Sequence, residues 1–282
     1  MKSLIITFGI LGGMAVLFMS FASPVCAKTA EEIMRQSSDP AVVGYAIAEE
    51  FDKRDLGYGD VKATMEMTLR NAHGDENKRA MRINILDEVS RDKGDKSIIV
   101  FDSPRDVAGT ALLSHANLLE SDDQWLFLPA LKRVKRISSK NKSGPFLGSE
   151  FAYEDITANE INKYSWNYLA TAPCPNDASQ QCFQLETTPK YEYSGYTKRI
   201  AWIDTLHFRP MQMDYYDKKS AHAKTQTYDN YRLYLNKFWR AHDWGMKNLL
   251  NGKSTEIHFT QYDFRNGLGE GDFTVNKLKR VK

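Results

Sequence analysis

From Asp60 onward, apolar residues recur at every second position, and this constrains the fold more than any other feature. Val61, Ala63, Met65, Met67 and Leu69 alternate with Lys62, Thr64, Glu66, Thr68 and Arg70. A period of two puts one side-chain set on each face of a strand, so this stretch predicts a half-buried β-strand. The polar stretch 71–77 turns the chain, and Met81, Ile83 and Ile85 return it. Further short strands are predicted over Ser97–Phe101, Gly109–Leu113, Gln124–Leu128 and Lys132–Ile137. Tyr164–Ala170 and Cys182–Thr187 read as a hairpin, and Tyr196–Asp204 pairs with Met211–Asp217 around Arg209–Pro210. Tyr228–Phe238 and Ser254–Phe264 read as two long strands, with Asn251–Gly252 between them. The pattern is an antiparallel meander.

Helical signals are confined to the ends. Thr29 with Glu32 is a capping box, and Asp39 before Pro40 is a second start. Val42, Val43, Ala46, Ile47 and Phe51 then follow a helical period up to Gly57 and Gly59. Asp272–Lys279 predicts a short capped helix. A sheet of about ten strands curls or splits, and the N-terminal helices are its natural cover. The expected fold is mainly β with α: a curved antiparallel sheet or incomplete barrel covered by helices, with an apolar hollow between the two. No linker, repeat or composition break divides residues 28–282, so a single domain is expected.

Residues 1–27 read as a signal peptide. Lys2 precedes an almost wholly apolar stretch over 4–22, and Val25 and Ala27 suit the −3 and −1 positions of a cleavage site. A retained anchor is one alternative, because the stretch is about long enough to span a bilayer. A lipoprotein with Cys26 as its lipid-bearing residue is another. Cleavage after Ala27 implies export out of the cytoplasm, and removing Lys2 lowers the formal charge from +2 to +1. A chain so near neutrality is no general nucleic-acid binder. Outside the cytoplasm Cys174 and Cys182, flanking the polar stretch 175–181, predict a disulfide, with shared metal binding as the alternative.

Signals for chemistry are sparse. The six histidines lie more than ten residues apart, with no HExxH-type spacing, and no Gly-x-Ser-x-Gly elbow occurs. Gly267, Gly269 and Gly271 precede acidic Asp272 without a P-loop lysine, and Asp122–Asp123 reads as a solvated turn. No catalytic residue, metal site or cofactor is therefore expected.

The densest segment runs from Asp122 to Ile156. Trp125 and Phe127 occupy one face of its strand and Leu126 and Leu128 the other. Lys132, Arg133, Lys135, Arg136, Lys140 and Lys142 follow, with no acid until Glu150. Such a run suits anionic head groups or a partner protein, or else a charged edge strand guarded against aggregation. Phe146 and Leu147, between Gly144 and Gly148, would form a mobile apolar loop tip able to gate a pocket. Met65, Met67 and Met81 on adjacent strands, with Met211 and Met213 later, suit either a core or a surface for varied apolar partners. The candidate lipid-binding set is thus Met65, Met67, Met81, Trp125, Phe127, Phe146 and Leu147.

Several motifs carry a family resemblance. They are Ser97–Phe101, Ser103–Pro104, Asp106 and Gly109–Leu113, then Gln124–Leu126, Leu128–Ala130, Arg133 and Lys135–Ile137. Gly148–Ser149 follows, with Phe151, Tyr153, Glu154, Asp155, Arg209–Pro210, Asp272–Thr274 and Leu278. Together they resemble the outer membrane lipoprotein-sorting proteins of the LolA-like superfamily over most of residues 60–280. Ser37–Leu56 is longer than that pattern leads one to expect. The resemblance implies an incomplete antiparallel barrel with a helical lid, a cavity for lipid or lipoprotein acyl chains, and an RND-type inner-membrane exporter as a plausible partner. Together with the signal peptide it implies the periplasm of a Gram-negative-type envelope, where transient membrane contact is a further expectation.

Overall fold

The computed structural model of the chain describes residues 29–89, 93–158 and 160–280. The predicted signal peptide lies outside the described residues.

Helix α1 spans Ala30–Gln36, and the Thr29–Glu32 capping box forms in both directions. Helix α2, Pro40–Asp55, is capped by the Asp39 carboxylate, which accepts from the Ala41 N–H. It buries Val43, Gly44, Ile47 and Ala48. Val42, expected on the same stripe, is 50% exposed because the buried stripe runs through Val43, Gly44, Ile47 and Ala48 and leaves it to one side.

Thirteen strands form one antiparallel sheet. The first half comprises β1 (Asp60–Arg70), β2 (Glu76–Leu86), β3 (Lys96–Phe101), β4 (Ala111–His115), β5 (Asp123–Leu128) and β6 (Arg133–Ile137). The second comprises β7 (Tyr164–Cys174), β8 (Asp177–Pro189), β9 (Tyr196–Asp204), β10 (Pro210–Asp217), β11 (His222–Tyr234), β12 (Phe238–Asn248) and β13 (Ser254–Phe264). Each half is a meander. Pairing of β1 with β13 joins them, which leaves β6 and β7 as the edges of an unclosed sheet.

Two expected boundaries differ. The stretch Tyr228–Phe238 is not one strand: Leu235 and Asn236 adopt left-handed backbone (φ 49° and 56°) and turn the chain into β12. Between the cysteines the turn is only 175–176, since Asp177 already pairs with Cys174. The Cys174–Cys182 disulfide forms and clamps this hairpin.

The inner face carries one continuous apolar cluster, including Met65, Met67, Met81, Phe101, Leu126, Phe183, Met213 and Phe259. It is covered by α2 and by the 138–163 connection between the two edge strands, which contributes Phe146, Phe151, Tyr153 and Ile161. The outer face of β3–β6 carries a second cluster of Ile98, Val100, Ala111 and Leu113. The C-terminal segment covers it with Phe273 and with Leu278 of helix α3 (Val275–Leu278). Asp60 fixes the start of that segment by accepting from the N–H groups of Asn266, Gly267 and Leu268.

Candidate functional site

The inner face under α2 is the candidate site. Met65 stands directly opposite Met81 across the β1–β2 pair, and Met67 lies two residues further along. All three are buried in the inner cluster.

Trp125 and Phe127 lie on the other side of the sheet. They pack in the outer cluster, and Trp125 meets His115 edge-on with ring centres 5.1 Å apart. His115 Nε2 lies 2.7 Å from the Phe273 carbonyl, so this patch anchors the C-terminal segment. The residues of β5 that face inward are Gln124, Leu126 and Leu128. The seven candidates therefore do not share one surface.

Phe146 and Leu147 do not form an exposed apolar tip. Phe146 is 1% exposed and packs on Phe101 and Tyr153, with centroids 5.6 and 5.4 Å away. Leu147 is half-buried in left-handed backbone (φ 47°), and its carbonyl accepts from Arg79 Nη1 at 2.8 Å. Where the sequence predicts an open apolar hollow, the structure places these side chains together with Val43 and Ile47 of α2.

A recess beside this filling is polar, lined among others by Asp122, Gln124, Lys142, Lys163, Tyr191 and Tyr193. Asp122 is not a solvated turn residue. It is 5% exposed and forms a buried ion pair with Lys163. Lys142, read as part of the basic run, instead turns inward and donates to the Asp122 carbonyl. Gln124 donates to the Ser114 hydroxyl and the Tyr153 carbonyl, and its buried Oε1 has no hydrogen-bond partner among the described residues.

A second polar group supports the 138–163 connection. Glu154 accepts from the Tyr191 and Ser194 hydroxyls and the Gly195 N–H at 2.7–2.9 Å. Asp155 accepts from the Tyr196 hydroxyl at 2.9 Å, with Lys224 Nζ 3.8 Å away. Burial pushes the Asp155 carboxyl up to about 6 against the pull of Lys224. The Arg199 guanidinium carbon lies over the Tyr164 ring, 3.7 Å from its centre, and Arg199 Nε donates to the Thr187 hydroxyl. None of these partners is near its mate in sequence, so spacing gave no signal for them.

Of the basic run, Lys132, Arg133 and Lys135 are exposed on or beside edge strand β6, and Arg136 pairs with Asp123. Among the described residues, no group of three or more His, Cys, Asp or Glu side chains could hold a metal ion.

The helix that covers the site is tied at its C-terminal end. Gly57 and Gly59 take positive φ (96° and 86°), and both N–H groups donate to Asp87 Oδ2, at 2.8 and 3.2 Å. Along its length α2 is held to the sheet side by Tyr45–Asn162, Arg54 to the Leu206 carbonyl, and Asp55–Arg240.

These features define a class: an open antiparallel sheet whose apolar inner face is closed by a helix and a long connection. Comparison with known proteins agrees. A structure described as an outer membrane lipoprotein-sorting protein domain from Vibrio parahaemolyticus is 50% identical, with a TM-score of 0.81, over 85% of this chain and 100% of that one. A DUF1329 family protein from Desulfovibrio piger is 26% identical, with a TM-score of 0.79, over 86% and 100%. A LolA superfamily protein from Nitrosomonas europaea shares the fold at 22% identity, with a TM-score of 0.65, over 83% and 98%. A family model described as uncharacterized protein matches residues 93–280. No curated protein matches the chain. The chain belongs to the outer membrane lipoprotein-sorting protein family, and it shares its fold with the LolA superfamily protein. Nothing in these matches supports an RND-type exporter as partner.

Proposed function

We propose that the protein is a non-catalytic periplasmic carrier of lipid acyl chains, either free or borne on a lipoprotein, and that it works after residues 1–27 are removed. The chains would lie against the inner face when α2 lifts. The observation that carries this reading is the continuous apolar inner face beneath a helix that hangs on the Gly57–Gly59 link. Met65, Met67, Met81 and Met213 adapt their shape to varied apolar surfaces and supply much of the middle of that face. Phe146 and Leu147 would move aside with their loop. Relatives described by lipoprotein sorting add support.

The test uses a fatty acid brominated along its chain, which quenches tryptophan at short range. Trp166 and Trp244 belong to the inner cluster, whereas Trp125 lies outside. Variants retaining one of these tryptophans should show saturable quenching for Trp166 or Trp244 and none for Trp125. Equal quenching of all three, or none at Trp166 and Trp244, defeats the proposal.

A further inference from the structure

Hairpin turns of an antiparallel meander alternate between the two ends of the sheet. The β5–β6 and β12–β13 turns leave at the same end, as the pairings Leu128↔Arg133 and Lys247↔Ser254 together with the intervening registers require. Each turn presents leucine to solvent. Leu131, in the single 3-10 turn Pro129–Leu131, is 63% exposed. Leu249 and Leu250 are 44% and 63% exposed.

Each leucine tip is flanked by exposed cations. Lys132 and Arg133 follow Leu131, and Lys247 and Lys253 bracket the second turn. None of these four makes an ion pair among the described residues, in contrast to Arg136, Arg70 and Arg82 nearby. The two tips stand six strand spacings apart in the sheet order, or about 29 Å along it. Isolated leucines set among unpaired cations and separated by that distance form no groove for a peptide. They match a plane that is anionic at its surface and apolar just beneath.

We infer that this end of the sheet is a two-point docking surface for an anionic lipid bilayer. Leu131 and Leu249–Leu250 enter the interface while Lys132, Arg133, Lys247 and Lys253 meet head groups. The inference goes beyond the carrier reading, since it concerns exposed tips and not the inner face.

The test is co-sedimentation of the protein, expressed with its own N-terminal residues, with vesicles. One set contains equal parts phosphatidylglycerol and phosphatidylethanolamine, the other phosphatidylcholine alone. The protein should pellet with the anionic set and be released by salt, because exposed charges are screened. The K132Q/R133Q/K247Q/K253Q variant should bind about fivefold more weakly per charge removed. The L131S/L249S/L250S variant should also bind more weakly. Both should melt at the wild-type temperature, because the altered side chains are exposed. Docking carries protein to the pellet, whereas cargo extraction carries lipid to the supernatant. The expected charge variant loses the first and keeps any of the second. Wild-type protein that stays in the supernatant with anionic vesicles, or a charge variant that pellets like wild type, overturns the inference.

Discussion

Gly44 offers the sharpest test of how α2 is docked. It lies in the second turn of α2, against β7, and a Cβ built there would sit 2.7 Å from the Trp166 carbonyl oxygen and 2.7 Å from the Tyr168 nitrogen. Both atoms are backbone of a paired strand, so neither can swing aside as a flexible side chain would. Two effects oppose each other in Gly44→Ala. Within a helix, alanine is favoured over glycine by about 1 kcal/mol. Forcing a methyl group into a closed contact costs about 1–3 kcal/mol, and a backbone neighbour puts this case at the upper end. The net expectation is a loss of about 1–2 kcal/mol. In a chain of this size that lowers the melting temperature by about 2–8 °C. The assay is thermal and urea unfolding of both proteins, with amide hydrogen exchange across Ala41–Asp52. Exchange should rise there and in β7 while β1–β3 keep their protection. A variant as stable as wild type, or more stable, would refute the docking, because it would show the helix-propensity gain unopposed.

Three further outcomes follow from the same physics. Burial pushes the Asp95 carboxyl up to about 7. A raised folded-state value means the associated stability is fully present below the unfolded value of about 4 and is lost as pH rises through about 7. The melting temperature should therefore fall between pH 5 and pH 8, and Asp95→Asn should flatten that fall. Reduction of Cys174–Cys182, which closes a separation of eight residues, should cost about 2–3 kcal/mol by urea titration, without loss of the sheet signal in circular dichroism. Trp125→Asp places a charge among Phe273, Leu278 and Phe127 and should destabilise by roughly 3 kcal/mol or more; unchanged stability would contradict the outer cluster.

Local periodicity made much of the sheet legible. The alternation in 61–69 and 81–85 marks β1 and β2 because one face of each meets the core and the other meets water. It failed at β12 for a physical reason. The Leu235–Asn236 turn carries no glycine or proline, so the hydrophobic run continues through it, and only Asn236 hints at left-handed backbone. Trp125 and Phe127 show a different limit. When both faces of a strand are apolar, alternation separates the faces without naming the inner one. What decides is the C-terminal segment, whose Phe273 lies 158 residues beyond His115 and fastens over that side. Lys142 and Asp122 show a third limit. Both sit in polar, basic or acidic stretches that read as solvated, and they are buried because each finds its partner across the 138–163 connection. The capping residues Thr29 and Asp39, which act within three residues of themselves, needed no such long-range information.

The most direct measurement of the central claim is mass spectrometry of solvent extracts from protein purified without detergent from the periplasm of expressing cells. The carrier account predicts an acyl lipid near one molecule per chain, lost or reduced when α2 cannot seat normally in Gly44→Ala. Protein that emerges empty, and that stays empty after incubation with added lipid, would contradict it.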